Sequence, residues 1–271
     1  MSAMDEARRR NRAVWEAGNW DAVAPRVESV GPRLLDSIGD VGPGVRLLDV
    51  GTGSGGAVAI PAAQRGAEVV GADITDAWFP DARRHAQEAG VEVEWVVGDA
   101  VELPFEDASF DVVTSTFGHM FAPDHEAAAR ELVRVCRPGA TIGLACWTPD
   151  GHMGRFFMSL GALLPAPPAG FKPPGAWGVE PYVRGLLEPL GVTLVARRTT
   201  VLIEAPSAEM QMWFFEANFG PVVIAKAALG EERWTAARAG LLAILDEINV
   251  RDDGTMAAEY GYLETIGRTA Q

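Results

Sequence analysis

The chain has 271 residues, 48% of them apolar and 22% charged, so it can bury a full core and is not a disordered polymer. It carries 23 Lys+Arg against 37 Asp+Glu, a formal net charge of −14. A field of that sign repels polyphosphates, which argues against a nucleic-acid substrate.

Read in chain order, the first segment mixes Asp5, Glu6 and Arg8 to Arg10 without an apolar run, unlike a secretory leader. Its Arg8-Arg9-Arg10-x-Arg12 cluster reads as a solvated helix face, with docking of an acidic substrate as the lesser reading. Residues 5–38 are expected as two helices broken near Gly18-Asn19 and Pro25. A strand over 45–50 feeds a glycine-rich turn, and a helix is expected from Ser54. Strands over 68–73, 93–97, 111–115 and 141–147 alternate with helices over 77–89 and 124–136, the latter with Asp124 as N-cap. Such alternation implies a mostly parallel sheet with helices on both faces, whose ligands sit at the carboxyl ends of the strands. Beyond Trp147 the pattern loosens. A helix over 153–164 precedes two proline clusters, Pro165-Ala166-Pro167-Pro168 and Pro173-Pro174, which bracket a rigid non-helical segment. A helix over 179–187, a strand over 192–204, helices over 208–217, 222–229 and 231–249, and a strand over 259–266 complete the chain.

No apolar run reaches the length of a membrane span. Cys136 and Cys146, both in apolar settings, read as buried free thiols, which fits a reducing cytoplasm. No His/Cys/Asp/Glu set has metal-ligand spacing, so no metal is expected.

The stretch 47–56 carries the chemistry, with four glycines in its last six residues. Glycines let backbone approach a ligand, and a following helix start offers unpaired N–H groups. Gly51, Gly53 and Gly56 satisfy the dinucleotide spacing G-x-G-x-x-G, and Asp73 follows at the distance of a ribose-binding acid. These two features leave a nicotinamide-dependent oxidoreductase and an S-adenosylmethionine (SAM) methyltransferase both open. Asp49 favours the second: a carboxylate is awkward beside a pyrophosphate and suits an ammonium and a sulfonium. The chain also has only three tyrosines and no Tyr-x-x-x-Lys.

The ordered motifs LLDVGTGSG (47–55), VVGADIT (69–75), GDAVELPFEDASFDVVTS (98–115) and ELVRVCRPGATIGLACW (131–147) resemble the class I SAM-dependent methyltransferases. The branch is that of the ubiquinone/menaquinone-type and related bacterial small-molecule enzymes. The likeness covers roughly residues 10 to 150. Ala140 departs from it, standing where a second glycine is usual. The resemblance implies an α/β, Rossmann-like doubly wound sheet of seven mostly parallel strands with an antiparallel last strand. It also implies N-terminal helices and a helical lid between the late strands. One domain over 1–271 is expected, with a cap (1–40), a cofactor-binding core (41–150) and substrate-side strands and lid (151–271).

The roles that the resemblance implies are as follows. Gly51, Thr52, Gly53 and Gly55 pass under the methionine part and ribose, and Asp49 orders that loop. Asp73 takes the ribose hydroxyls, and Ile74 packs on the adenine. Asp99 and the Ala100 amide receive the adenine edge, and Thr116 and Phe117 line the methionine end. His119 is the first candidate for a general base and His152 the second; His125 and His85 are expected on exposed helix faces. Trp15, Trp20, Phe121, Trp147 and Trp177 are expected to line an acceptor pocket. The acceptor is expected to be small and aromatic or isoprenoid-like, methylated on O, N or C with release of S-adenosylhomocysteine. Neither a nucleic acid nor a membrane span is expected; a homodimer is compatible. A SAM-binding module without turnover and an NAD(P)-dependent oxidoreductase are the alternatives.

Overall fold

Seven strands form the frame of the computed structural model, which describes residues 3–164 and 171–271; the cluster at 165–168 lies outside the described residues. They are β1 (Arg46–Val50), β2 (Glu68–Asp73), β3 (Glu94–Val97), β4 (Phe110–Thr116), β5 (Cys136–Trp147), β6 (Thr193–Ala205) and β7 (Met256–Arg268). Their order in the sheet is β3-β2-β1-β4-β5-β7-β6. The pairs β1–β2, β2–β3, β1–β4 and β4–β5 are parallel, and β7 runs antiparallel to both β5 and β6. The expected topology is therefore present, with β7 inserted ahead of β6. The central strands are buried on both faces, which is why they read as continuous apolar runs. Edge strand β6 instead alternates, leaving Val195 and Leu202 exposed.

Helix α1 (Ala3–Glu16) and the short α2 (Trp20–Val23) precede α3 (Val30–Ile38). On one face of the sheet Leu47, Val69 and Val112 pack on α3 and on α4 (Ala59–Gln64). On the other, Leu48, Val70 and Val113 join Ala128, Ala129 and Leu132 of α6 (His125–Arg134). Helix α5 (Phe79–Ala89) lies between β2 and β3 in the chain. Asp124 caps α6 as expected, its Oδ1 accepting from the Ala127 amide at 2.9 Å. One boundary differs: α4 begins at Ala59, five residues beyond the expected Ser54. Gly51, Gly53 and Gly55 all have positive φ, so the loop winds in turns before a helix can start.

After β5 come α7 (His152–Gly161) and α8 (Glu180–Leu187), then β6. Between β6 and β7 lie α9 (Ala208–Asn218) and α10 (Gly220–Ile248), the latter broken at Gly230 as the two expected helices require. The N-terminal helices dock on this insertion: the Asn19 amide donates to Asn218 O at 2.7 Å. No described helix is long and apolar enough to cross a membrane.

Candidate active site

The loops that leave β1, β2, β3 and β4 meet over the carboxyl edge of the sheet and border a cleft that is partly open to solvent. Gly51 begins the first loop with φ +73°, and its amide donates to Ala72 O at 2.8 Å. A Cβ there would lie 2.6 Å from Gly118 Cα, so the loops after β1 and β4 touch backbone to backbone. Ser115 joins the same two loops, its hydroxyl donating to Val50 O at 2.6 Å and accepting from the His119 amide at 3.0 Å.

Asp73 closes β2 and faces the cleft. Its Oδ2 accepts from the Gly53 amide at 2.9 Å and its Oδ1 from the Thr75 amide at 3.2 Å. Burial pushes its carboxyl up to about 6, against the opposing pull of those amides. Asp49 sits one layer deeper, 1% exposed, with Oδ1 accepting from the Thr114 hydroxyl at 3.0 Å. Burial pushes it up to about 7, and the hydroxyls of Thr52 and Thr114 act the other way. At the end of β3, Asp99 Oδ1 accepts from the Val101 amide at 3.1 Å, and Arg8 Nε of α1 donates to Oδ2 at 2.7 Å. The arginine cluster is thus more than a solvated face. Arg12 pairs with Glu16 along the helix, while Arg8 crosses to Asp99 and Glu102.

A second cavity adjoins the first. It is walled largely by aromatic and aliphatic side chains, among them those of α2, β5, α7, α9 and β7. Trp15, Trp20 and Phe117 line both cavities. Phe117 holds a left-handed backbone (φ 57°), a conformation that costs a non-glycine residue about 1 kcal/mol or more. Its amide donates to Ala145 O at 2.9 Å, and its ring stacks on Trp147 with centroids 3.7 Å apart and planes 3° from parallel. Strain at the junction is therefore held in place by the sheet and by a stacked pair.

The histidines are packed more deeply than the sequence suggested, although His119 lines the cofactor cleft. His119 is 1% exposed; its Nε2 lies 3.7 Å from Cys146 Sγ and its ring stands edge-on to Trp177 at 4.5 Å. Burial, with a smaller push from His125, lowers it to about 3. His125 is buried, not exposed as expected, with Nδ1 3.0 Å from the Tyr182 hydroxyl. His85 is half-buried, 3.4 Å from Asp21 and 3.4 Å from Ser54 O. His152 opens α7 beside the Tyr260 ring, 5.9 Å between centroids, and lines neither cavity.

Residues 48–144 match the family model described as "Methyltransferase domain". An uncharacterized protein of Mycobacterium tuberculosis is 39% identical over 92% of this chain and 91% of its own length. The chain belongs to the class I SAM-dependent methyltransferases. Nocamycin O-methyltransferase of Saccharothrix syringae is 35% identical over 179 residues, 63% of this chain and 62% of that one. Among solved structures, phosphoethanolamine N-methyltransferase 2 of Haemonchus contortus, crystallised with SAM, shares the fold. Its TM-score is 0.57 at 18% identity, over 90% of this chain and 53% of that one.

The cleft of this methyltransferase fits SAM. Backbone stripped of Cβ atoms at Gly51 and Gly53 forms one wall, Asp73 and Asp99 stand at separate strand ends, and Ile74 and Ala100 supply apolar surface. Carboxylates with spare lone pairs suit ribose hydroxyls and an adenine amino group. Of the residues singled out in the sequence, Gly51, Gly53, Asp73, Ile74, Asp99, Ala100, Thr116 and Phe117 line this cleft, and Trp15 and Trp20 cover it. Phe121 and Trp147 line the apolar cavity. Asp49, Thr52 and Gly55 do not reach the cleft: Asp49 braces the loop from behind, and Gly55 lies where a Cβ would be 2.5 Å from Trp95. Trp177 lines neither cavity; it is fully buried against His119 and His125. Sequence reading passed over Arg26, Gln211 and Tyr260. A glutamine inside the apolar run Met210–Phe215 flagged Gln211, since an amide there needs a reason; nothing local flagged the other two.

Proposed function

We propose that this methyltransferase transfers its methyl group to a small, flat, largely apolar metabolite held in the second cavity. The shared wall of Trp15, Trp20 and Phe117 carries the reading, because it sets the acceptor cavity directly against the cofactor cleft. When bound, SAM supplies an electrophilic methyl on a cationic sulfur and leaves as S-adenosylhomocysteine. The chain contributes alignment and dryness. Asp73, Asp99 and the glycine loop would fix the nucleoside, and the aromatic walls would fix the acceptor. Such positioning is worth about 7–11 kcal/mol where reacting atoms are held in line, and a dry site favours a step that disperses charge.

Among the described residues the cavity wall holds no His, Asp, Glu or Lys, and its phenol, Tyr260, is pushed up by burial. Transfer therefore runs on alignment, with the acceptor oxygen reacting as its anion after losing its proton to solvent rather than to a protein base. The relative named nocamycin O-methyltransferase supports an oxygen nucleophile on a small metabolite. The test is a screen of phenolic, enolic and carboxylic small molecules with SAM, followed by S-adenosylhomocysteine release. Acceptors found this way should lose turnover when Phe157→Trp fills the cavity. Full activity in that variant would place the acceptor elsewhere.

A further inference from the structure

One corner of the apolar cavity is not apolar. Arg26 follows α2, Gln211 lies on α9 and Tyr260 on β7, and all three line this cavity while none lines the cofactor cleft. Arg26 Nη1 donates to Gln211 Oε1 at 2.6 Å and to Glu204 O at 3.4 Å, and its guanidinium lies 3.8 Å over the Phe214 ring. No carboxylate among the described residues pairs with it. A guanidinium only donates, so the Gln211 oxygen must face it and the amide NH₂ must point elsewhere. That NH₂ is buried without a partner, on a residue 0% exposed. The Tyr260 hydroxyl, on a residue 1% exposed, is likewise without a partner. Arg26 and Tyr260 are close enough to influence each other electrostatically.

Buried donors without acceptors are costly and uncommon in native proteins. Here two such donors, on Gln211 and Tyr260, lie with the Arg26 guanidinium around one cavity whose other described lining residues are apolar. All three are donors and one is a cation, so their complement is a group that only accepts and is negatively charged. We propose that the acceptor carries an anionic oxygen group, gripped by Arg26, Gln211 and Tyr260 away from the Trp15–Trp20–Phe117 wall where the methyl arrives. This rests on the cavity being the acceptor site. The oxyanion serves as an anchor that sets which end of the molecule faces the cofactor, and it stays unmethylated. It also selects the substrate, because Arg26 is the one cation on the described cavity wall.

Three probes of similar shape test this with S-adenosylhomocysteine in the cleft, read by tryptophan fluorescence: 2-naphthoate, 2-acetylnaphthalene and 2-isopropylnaphthalene. The native protein should bind the acid about 10- to 100-fold more tightly than the hydrocarbon, the range of hydrogen bonds to a charged group, with the ketone between them. Arg26→Met should erase the preference for acid over ketone, Arg26→Lys should keep part of it, and Tyr260→Phe or Gln211→Leu should each reduce it several-fold. The measured quantity is a ratio on the same folded molecules, so a loss of stability does not mimic it. Equal binding of acid and hydrocarbon, or a preference that survives Arg26→Met, overturns the anchor while leaving the cavity as the acceptor site. If Phe157→Trp weakens none of the probes, the cavity is not the acceptor site and the anchor falls with it.

Discussion

The two cavities of this methyltransferase share a wall, yet they are built by opposite means. The cofactor cleft is founded on backbone and short side chains at the ends of adjacent strands, each fixed by its own local segment, with Trp15, Trp20 and Trp78 closing it over. The apolar cavity is made by side chains that meet only after α2, β5, α7, α9 and β7 have packed. A polar nucleoside needs donors and acceptors at set positions, which a loop can supply. An apolar acceptor needs shape, which only tertiary packing can supply. The contrast predicts that damage to the cleft is local and severe, whereas damage to the cavity is graded and confined to the acceptor.

The largest effect should come from Gly51→Val. The added side chain meets Gly118 Cα at 2.6 Å in a backbone region with φ +73°, where both loops are already in contact. Loss of measurable SAM binding is expected, with a cost of about 3 kcal/mol or more in stability. Calorimetry on the purified variant checks it, and native affinity would show that the loops can separate freely. Next is Asp73→Ala, which removes a buried acceptor for the Gly53 amide as well as for the cofactor. SAM affinity should fall by about 1–3 kcal/mol. Phe121→Ala is expected to act on the other side of the shared wall. Phe121 touches Trp15 and Phe157 at centroid distances of 4.7 and 5.3 Å and lines only the apolar cavity. The acceptor KM should rise about tenfold, the order of one aromatic contact's loss, with SAM affinity unchanged.

The same contrast explains what was legible in the sequence. Asp49, Gly51, Asp73 and Asp99 stand at the ends of runs whose strand character is local, so strand order and cleft position follow together. Gly51 is predictable because its neighbours along the chain dictate its turn. Trp177 misled for the reverse reason: an aromatic in a proline-flanked segment can face a pocket or a core, and only packing decides. It went to His119 and His125. Arg26, Gln211 and Tyr260 are separated by 185 residues between the first two alone, so no window of sequence contains their relationship. His125 looked exposed because Asp124 caps its helix; its ring instead turned inward to Tyr182.

A pH experiment sharpens the difference between acids that face the cleft and one that lies behind it. Burial raises Asp49 to about 7 and Asp73 to about 6, so each binds its proton more tightly folded than unfolded. The stability this contributes is complete below about pH 4, the unfolded carboxylate value, and is lost as pH climbs through the folded values. The buried histidines oppose this trend: His119 and His125, lowered to about 3 and about 4, contribute stability that is present above about pH 6.5 and lost on acidification. A difference between variants removes their contribution. The Tm of Asp49→Asn minus that of the native, cofactor-free protein should therefore move in favour of the variant from pH 5 to pH 8. A shift of a few degrees is expected, at about 2–4 °C per kcal/mol for a chain of this size. A flat difference would mean that Asp49 ionises normally in the folded state.

The smallest effect concerns the residue that the sequence ranked first as a base. His119 reaches the cleft wall, but its ring is directed at Cys146 Sγ and Trp177, and no acceptor cavity opens onto it. An imidazole lowered to about 3 is neutral at pH 7, yet its conjugate acid is too strong for it to hold a proton taken from a phenol or amine. What ties the position to the loop is its backbone amide on Ser115 Oγ, which survives any substitution except proline. His119→Asn should therefore keep kcat within about threefold of the native value, with the pH–rate profile unmoved. Its cost should appear in Tm instead, because the smaller side chain leaves space against Trp177. A positioned base contributes about 10²–10⁴ in rate. A loss of that size with cofactor affinity intact would return His119 to the chemistry and require the ring to swing out of its packed site during turnover.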